Sequence, residues 1–443
     1  MTDPTLYTHQ PLDDPEDQIR LFRYKRVDGA IQCEISTFDV LQTPPYKTLS
    51  YVWGPPSPNF DIFVGGKRLQ IRANLFAWFQ EDGLHPSEDP IDAIKIIARK
   101  NLFVSVDDEE DWEQGVDWMW VDQICIDQSN VVERNHQVLM MSRIYSHAVG
   151  VLIWLGDTST KSIPRSRDRL LPSRFADIIA AKIKQLFQDE YFTRLWIVQE
   201  ILLSPNRRVQ WRGEGCIDWD VLRDLTDENQ RNLLYSRLPF NTSSMLVHAH
   251  TPERKTLSVS IFKYCVNKCA DPRDKVYGFM GLLDGKQDIV VDYRKSVHEV
   301  FLDVVKAFRE TYLVPGFAQW QRSWPSKAKD YRTVLMRLAS EMEFPKHQVD
   351  GLHPMLEKLW KVGKDTRLSV SHVSAMGFDA AGTASATTES SKGVATSLRD
   401  RWWYESEDKM CYFDCGVAVE PLRPRVKAAL QSIPRLIRTS GPR

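Results

Sequence analysis

Apolar and polar positions first fall into a clear pattern at KTLSYVWG, Lys47 to Gly54. This run of β-formers stops at Gly54-Pro55-Pro56, which predicts a strand ending in a loop, with Ser50 near the strand's carboxyl end. FDIFV and KRLQIR alternate around Gly65-Gly66 and predict a hairpin, and NLFAWFQ after them predicts a helix. Trp118 to Val121 reads as a strand with Asp122 at its carboxyl end, the edge where open α/β sheets build sites. Ser129 is the expected cap of a helix striped by Val138, Met141, Tyr145 and Ala148. VGVLIWLGD, Val149 to Asp157, is almost continuously apolar, as an interior strand of a parallel sheet would be. DAIKIIARK and RFADIIAAKIKQLF predict two more helices, and RVQWRG a short strand.

Strands alternating with helices predict an α/β domain with a mostly parallel sheet flanked by helices, over residues 46–215. Residues 1–45 read as an N-terminal extension and 216–315 as mainly helical, including HEVFLDVVKAF. Residues 316–443 form a C-terminal region whose segment 380–397, AAGTASATTESSKGVATS, is low in complexity and reads as a linker or loop.

One stretch breaks its own pattern. FTRLWIVQEIL, Phe192 to Leu202, reads as a helix that is apolar almost all round, yet it carries Glu200 one turn after Trp196, with Phe192 and Leu203 flanking that face. Burying a carboxylate is costly unless it is paired or hydrogen-bonded, so Glu200 either has a structural partner, with Arg194 the nearest candidate, or faces a working cavity.

Composition narrows the classes. A chain of 443 residues with 58 basic and 59 acidic side chains has no global charge to attract nucleic acid or an anionic membrane. No run of about 18 apolar residues exists, and MTDPTLYTHQPLDDPED lacks the parts of a secretory signal, so no membrane partner and a cytoplasmic (or nuclear) location are expected. Seven scattered cysteines fit reduced thiols. The acidic run DDEEDWE reads as a solvated loop.

Familiar catalytic signatures are missing: no phosphate loop, GxGxxG, GxSxG or HExxH occurs. The CxxxC pairs Cys265–Cys269 and Cys411–Cys415, and His248 with His250, lack the ligand number of a metal site, so no metal is expected. Cys125 has no identifiable base and reads as packing. Glu133 suits the positive end of a helix dipole and reads as structural.

Three stretches share a likeness. TLSYVWG, then WMWVDQICIDQSNVVERNHQVLMMSRIYSHAVGVLIWLG, then FTRLWIVQEILLS resemble, in order and separation, the signature blocks of the fungal heterokaryon-incompatibility (HET) domain. DPRDKVYGFMGLL and VDYRKSVHEVFLDV resemble the segment that often trails it, so the resemblance covers about residues 46–310. The chain departs at Asp127, where the family usually has Asn, which questions any role that needs the amide donor.

The resemblance implies cell death after non-self recognition when unlike fungal strains fuse, with self-association and the unidentified protein product of an incompatibility partner as the partners. The family has been compared with the TIR domain, a flavodoxin-like α/β module that in some lineages cleaves NAD, and its essential glutamate follows a Trp by four residues, as Glu200 follows Trp196. In that reading NAD is substrate rather than cofactor, and no cofactor is needed. Glu200 is the catalytic carboxylate; Ser50, Tyr51, Trp53, Gly54 and Asp122 line the cleft; Arg194 meets a phosphate or clamps Glu200 with two bonds; Trp53 or Trp196 stacks on a ring. Two other readings stand beside it: a non-catalytic, self-associating signalling module that recruits a death effector, and a receptor whose residues 216–443 read another gene product. A Glu200 in an open cleft favours the enzyme, and one sealed behind packed side chains favours the module.

Overall fold

A computed structural model describes residues 5–81, 115–156, 186–211, 215–220, 222–223, 238–249, 256–283, 289–312 and 331–361. The chain divides into two compact units, one holding the described residues up to Ala249 and the other those from Thr256.

The first unit is built on a nine-stranded sheet of described strands: β1 (Gln18–Val27), β2 (Ala30–Asp39), β3 (Tyr46–Tyr51), β4 (Asn59–Val64), β5 (Lys67–Arg72), β6 (Trp118–Trp120), β7 (Gly150–Trp154), β8 (Arg207–Trp211) and β9 (Gly215–Asp218), in the order β5-β4-β2-β1-β6-β3-β7-β8-β9. Among the described residues four helices accompany it, α1 (Ala73–Glu81), α2 (Asp122–Cys125), α3 (Val131–His147) and α4 (Ile197–Leu203), and α5 (Phe240–His248) follows β9. The α/β class is as expected, but the sheet is mixed rather than mostly parallel: β6-β3-β7-β8 are parallel and β2 pairs β4 in parallel, while the other four pairings are antiparallel. Three of the antiparallel pairings, β1–β2, β4–β5 and β8–β9, join strands consecutive in the chain, and short connections can only join antiparallel neighbours; the fourth sets β1 against β6.

The β4–β5 hairpin was expected, whereas the β1–β2 and β8–β9 pairings were not. β4 and β5 turn at Gly65-Gly66, both with positive φ, the conformation a tight I′ turn requires. β1 and β2, inside the expected N-terminal extension, turn at Asp28-Gly29 with φ of 50° and 79°. The Asp-Gly pair is a strong hairpin signal. This hairpin belongs to the core: Ile19, Leu21 and Phe22 are completely buried, and β1 pairs with β6.

β7 is buried at all five positions, as its apolar run predicts, and it lies in the sheet interior between β3 and β8. Helix α3 is capped by Asn130, whose side chain accepts from the amides of Val132 and Glu133, not by Ser129, whose hydroxyl and amide both donate to Asp127. Its buried stripe is Glu133, Gln137, Met140, Met141, Ile144 and Tyr145, with Val138 only half-buried. Two polar residues can occupy that stripe because each finds a partner: Gln137 donates to the Gln18 carbonyl at 2.8 Å, and Glu133 forms a two-bond pair with Arg20.

The second unit is helical among its described residues: α6 (Leu257–Tyr264), α7 (Asp274–Met280), α8 (Val297–Tyr312), α9 (Tyr331–Glu341) and α10 (Lys346–Lys361). Its buried Lys275 ammonium is held by the carbonyls of Cys265 and Asn267, and Arg273 joins Asp271 to the Lys295 carbonyl, tying α7 to the segment before α8. No helix among the described residues is long and apolar enough to cross a membrane. The expected helix in DAIKIIARK, the one in RFADIIAAKIKQLF up to Gln185, the acidic run, the low-complexity segment, His250 and the Cys411–Cys415 pair lie outside the described residues, while Leu186 and Phe187 are helical as expected.

Candidate functional site

In chain order the four parallel core strands are β3, β6, β7 and β8, but in the sheet they run β6-β3-β7-β8. The order therefore reverses between β3 and β7, and open α/β sheets bind ligands outside the carboxyl ends of the strands at such a reversal. Ser50 and Tyr51 close β3 at this edge, in register with Ile153 and Trp154 of β7. Asp122, two residues past the end of β6, opens α2 at the same edge.

Glu200 reaches this edge from α4. The helix is shorter than the sequence pattern predicts: Glu190–Thr193 forms a separate 3-10 turn, capped by the Asp189 side chain, and Arg194 is extended. Phe192 therefore does not share a helical face with Glu200. Trp196 starts the helix, its carbonyl accepting from the amides of Gln199 and Glu200 at 3.1 and 3.3 Å. Ile197 through Leu202 are all buried, and α4 packs against α3 and α5.

The Glu200 residue is 3% exposed. Ser50 Oγ donates to its Oε2, and the Tyr191 hydroxyl lies 2.5 Å from Ser50 Oγ. Arg194 Nη2 stands 4.0 Å from Glu200 Oε1, while Nη1 donates to the Tyr51 carbonyl at 2.5 Å. The expected two-bond clamp is therefore not formed, because the Tyr51 carbonyl orients the guanidinium along the strand end.

Asp122 forms the outer half. Its carboxylate accepts from Trp53 Nε1 at 2.7 Å and from the Gln123 amide at 2.8 Å, and Gln123 Oε1 accepts from the Tyr51 hydroxyl at 2.9 Å. Arg72, at the end of β5, stacks over the Trp53 ring and donates to the Gly54 carbonyl. Gly54 serves the site through its backbone: its φ of +71° and the Asn74 amide, 3.0 Å from where a Cβ would stand, exclude other residues at low cost.

The charges are coupled. Burial pushes the Glu200 carboxyl up, against the pull of Arg194 and the Ser50 hydrogen bond, and Asp122 adds to the rise. Burial likewise raises Asp122, opposed by Arg194 and by the Trp53 and Gln123 bonds. Burial works against the charge on Arg194, but the two carboxylates outweigh it and hold the guanidinium above its usual value. Arg194 thus serves both acids, and Arg72 also favours the charge on Asp122.

The fold brings Glu200, Ser50, Tyr51 and Arg194 together and links Trp53 to Asp122; Trp196, half-buried, enters through its carbonyl. Sequence reasoning missed Tyr191, Gln123, Arg72 and Tyr145, whose ring is near enough to the Glu200 and Asp122 charges to be raised by them as well as by burial. Tyr191 directly precedes FTRLW and could have been read as a polar tip on that apolar stretch. Arg72 could not, since only the chain's path puts β5 beside the loop after β3.

Other candidates are structural. Burial pushes the Cys125 thiol up to about 12, far from a nucleophilic thiolate. Glu133 accepts from Arg20 at 2.5 and 3.0 Å and from the Asp127 amide at 2.8 Å. The Asp127 carboxylate only accepts, from the Ser129 amide and hydroxyl, so an amide donor is not needed there. Among the described residues no group of three or more His, Cys, Asp or Glu side chains could hold a metal ion.

Residues 46–200, which contain this whole constellation and end within α4, match the family model described as "Heterokaryon incompatibility protein (HET)". This segment of the chain is thus similar to the HET domain. Heterokaryon incompatibility protein 6, OR allele, of Neurospora crassa is 27% identical over 423 residues, covering 78% of this chain and 58% of the relative. Vegetative incompatibility protein HET-E-1 of Podospora anserina is 29% identical over 160 residues, covering 36% of this chain and 9% of the relative. The chain thus spans less than two thirds of either relative's length. No solved structure matches it. The HET match begins at Tyr46, after the β1–β2 hairpin, and ends at Glu200, the carboxylate of the site.

Proposed function

We propose that this protein acts in fungal heterokaryon incompatibility, triggering cell death after non-self recognition, and that its α/β domain is a TIR-like, flavodoxin-type module that cleaves NAD at the nicotinamide–ribose bond. The names of the two fungal relatives support the incompatibility role. The parallel-core order β6-β3-β7-β8, which is the 2-1-3-4 order of flavodoxin-like sheets, supports the fold reading.

One observation carries the enzymatic reading: Glu200 is a buried carboxylate that its arginine leaves unclamped. The same unit contains a structural buried pair for comparison, Arg20–Glu133, closed by two bonds and a backbone amide. Glu200 instead has one hydroxyl on Oε2, and the cation stands off Oε1 at 4.0 Å.

Such a carboxylate suits the chemistry. The bond from ribose C1′ to the pyridinium nitrogen breaks with its electron pair going to nicotinamide, which leaves neutral and needs no acid. The sugar becomes oxocarbenium-like, water adds to C1′ and releases a proton, and ADP-ribose results. Glu200 stabilises the cationic sugar, Arg194 meets the pyrophosphate, and Trp53 or Trp196 stacks on a ring, with Ser50, Tyr51, Gly54 and Asp122 shaping the cleft.

A second reading has its own observation. At 3% exposure Glu200 is sealed, as the carboxylate of a non-catalytic, self-associating signalling module would be. Incubation of the purified chain with NAD separates the two. The enzyme releases nicotinamide, and Glu200→Gln, matched for folding by circular dichroism, loses about a hundredfold or more of that rate. No release from wild type, even when concentrated to drive assembly, transfers the site to the signalling module.

A further inference from the structure

Tyr191, Ser50 and Glu200 form a chain of three side chains from three elements, the 3-10 turn, β3 and α4, each no more than 3% exposed. A hydroxyl carries one proton, so the direction of each bond constrains the next. With Glu200 ionised, Tyr191 donates to Ser50 Oγ, Ser50 donates to Oε2, and every proton has an acceptor. With Oε2 protonated, Glu200 donates to Ser50 and Ser50 to Tyr191, and the phenolic proton needs an acceptor outside the chain. Among the described residues Tyr191 Oη has no other hydrogen-bond partner. With Oε1 protonated, the new O–H faces Arg194, a group with no lone pair to accept it.

We infer that Tyr191 is a positioning residue for Glu200: by donating to Ser50 it turns the serine proton onto Oε2, holds the carboxylate in its charged form and leaves Oε1 toward Arg194. This rests on the reading of Glu200 as the working carboxylate. The groups facing Glu200 are Arg194 from the segment before α4, Asp122 from α2, Tyr145 from α3, Tyr51 and Ser50 from β3, and Tyr191 itself. Of these, only Arg194 and the hydroxyl chain favour the charge. Burial and Asp122 oppose it, so a carboxylate at this position needs a directed donor as well as a distant cation.

The test is a pH titration of the full chain carrying carboxyl-13C glutamate, with the Glu200 resonance assigned by its loss in Glu200→Gln. Tyr191→Phe keeps the ring and removes the donor, and it is expected to raise the Glu200 midpoint by about half to one pH unit. 3-Fluorotyrosine at position 191, a stronger donor of nearly the same shape, is expected to lower it, and this variant decides if Tyr191→Phe fails to fold. In a Ser50→Ala background either change should move nothing, because the connection is cut. A midpoint that ignores both changes, or one that shifts equally without Ser50, overturns the inference. Nicotinamide release on the same samples keeps the two questions apart. A shifted titration without any release in wild type sinks NAD cleavage and leaves Tyr191 positioning a non-catalytic carboxylate; release with an unmoved titration sinks the role of Tyr191 alone.

Discussion

Glu133 and Glu200 are both about 3% exposed and both have an arginine nearby, yet they should respond oppositely to pH. Burial alone would raise Glu133, but the Arg20 bonds and the Asp127 amide outweigh it and hold the carboxyl below its usual range. A depressed native value contributes stability above the ordinary glutamate range, and that stability is lost as the pH falls through the native value. Glu200 is raised, so its contribution is fully present at low pH and is lost as the pH rises through its native value. The wild-type denaturant midpoint is therefore expected to fall relative to that of Glu133→Gln as the pH drops through the native Glu133 value. Glu200→Gln should gain on wild type as the pH rises. Glu133→Ala, which strands Arg20 in the core, is expected to cost about 3–5 kcal/mol by urea unfolding.

At the level of elements, the site depends on how the loop after β3 and the start of α3 are held. Gly54 turns that loop at positive φ against Asn74, whose side chain donates to the Val52 carbonyl. Gly54→Ala is expected to cost about 1–3 kcal/mol and to free Trp53 from Asp122, seen as a red-shifted, more quenchable tryptophan emission. Asn130→Ala removes both cap bonds of α3 and is expected to cost about 1 kcal/mol by thermal unfolding, with no effect on the titration of Glu200. The hydrophobic pattern predicted strands β3 to β8 and helices α1 and α3, but not β1, β2, β9 or α2. It did not separate the 3-10 turn from α4, because the break is made by the Asp189 cap and the extended Arg194 and leaves the apolar pattern intact.

For the whole molecule, the family match starts at Tyr46, but the unit's sheet does not. The β1–β2 hairpin supplies Ile19, Leu21 and Phe22 to the core and Arg20 to the Glu133 pair, and Arg20 also donates to the carbonyls of Gln10 and Cys125. A chain lacking residues 1–45 is expected to show no cooperative unfolding transition by circular dichroism, because it exposes the β6 edge and strands a buried carboxylate. Cooperative unfolding of that truncated chain would mean the hairpin is an accessory rather than part of the domain.

Local pattern by itself determined the strand at 46–51, the Gly-Gly hairpin, the buried strand at 150–154 and the anomaly of Glu200, since each depends on neighbours in sequence and on the cost of burying charge. The HET likeness was also legible, because its blocks are contiguous. Tertiary structure decided the rest. Parallel order, the reversal between β3 and β7 and the meeting of Ser50 with Glu200 join residues up to 150 positions apart, and no local period encodes such distances. The same holds for which arginine closes on which glutamate. Arg194, six residues from Glu200, stands off because the Tyr51 carbonyl takes its guanidinium, while Arg20 closes on Glu133 across 113 residues because β1 lies beside the start of α3.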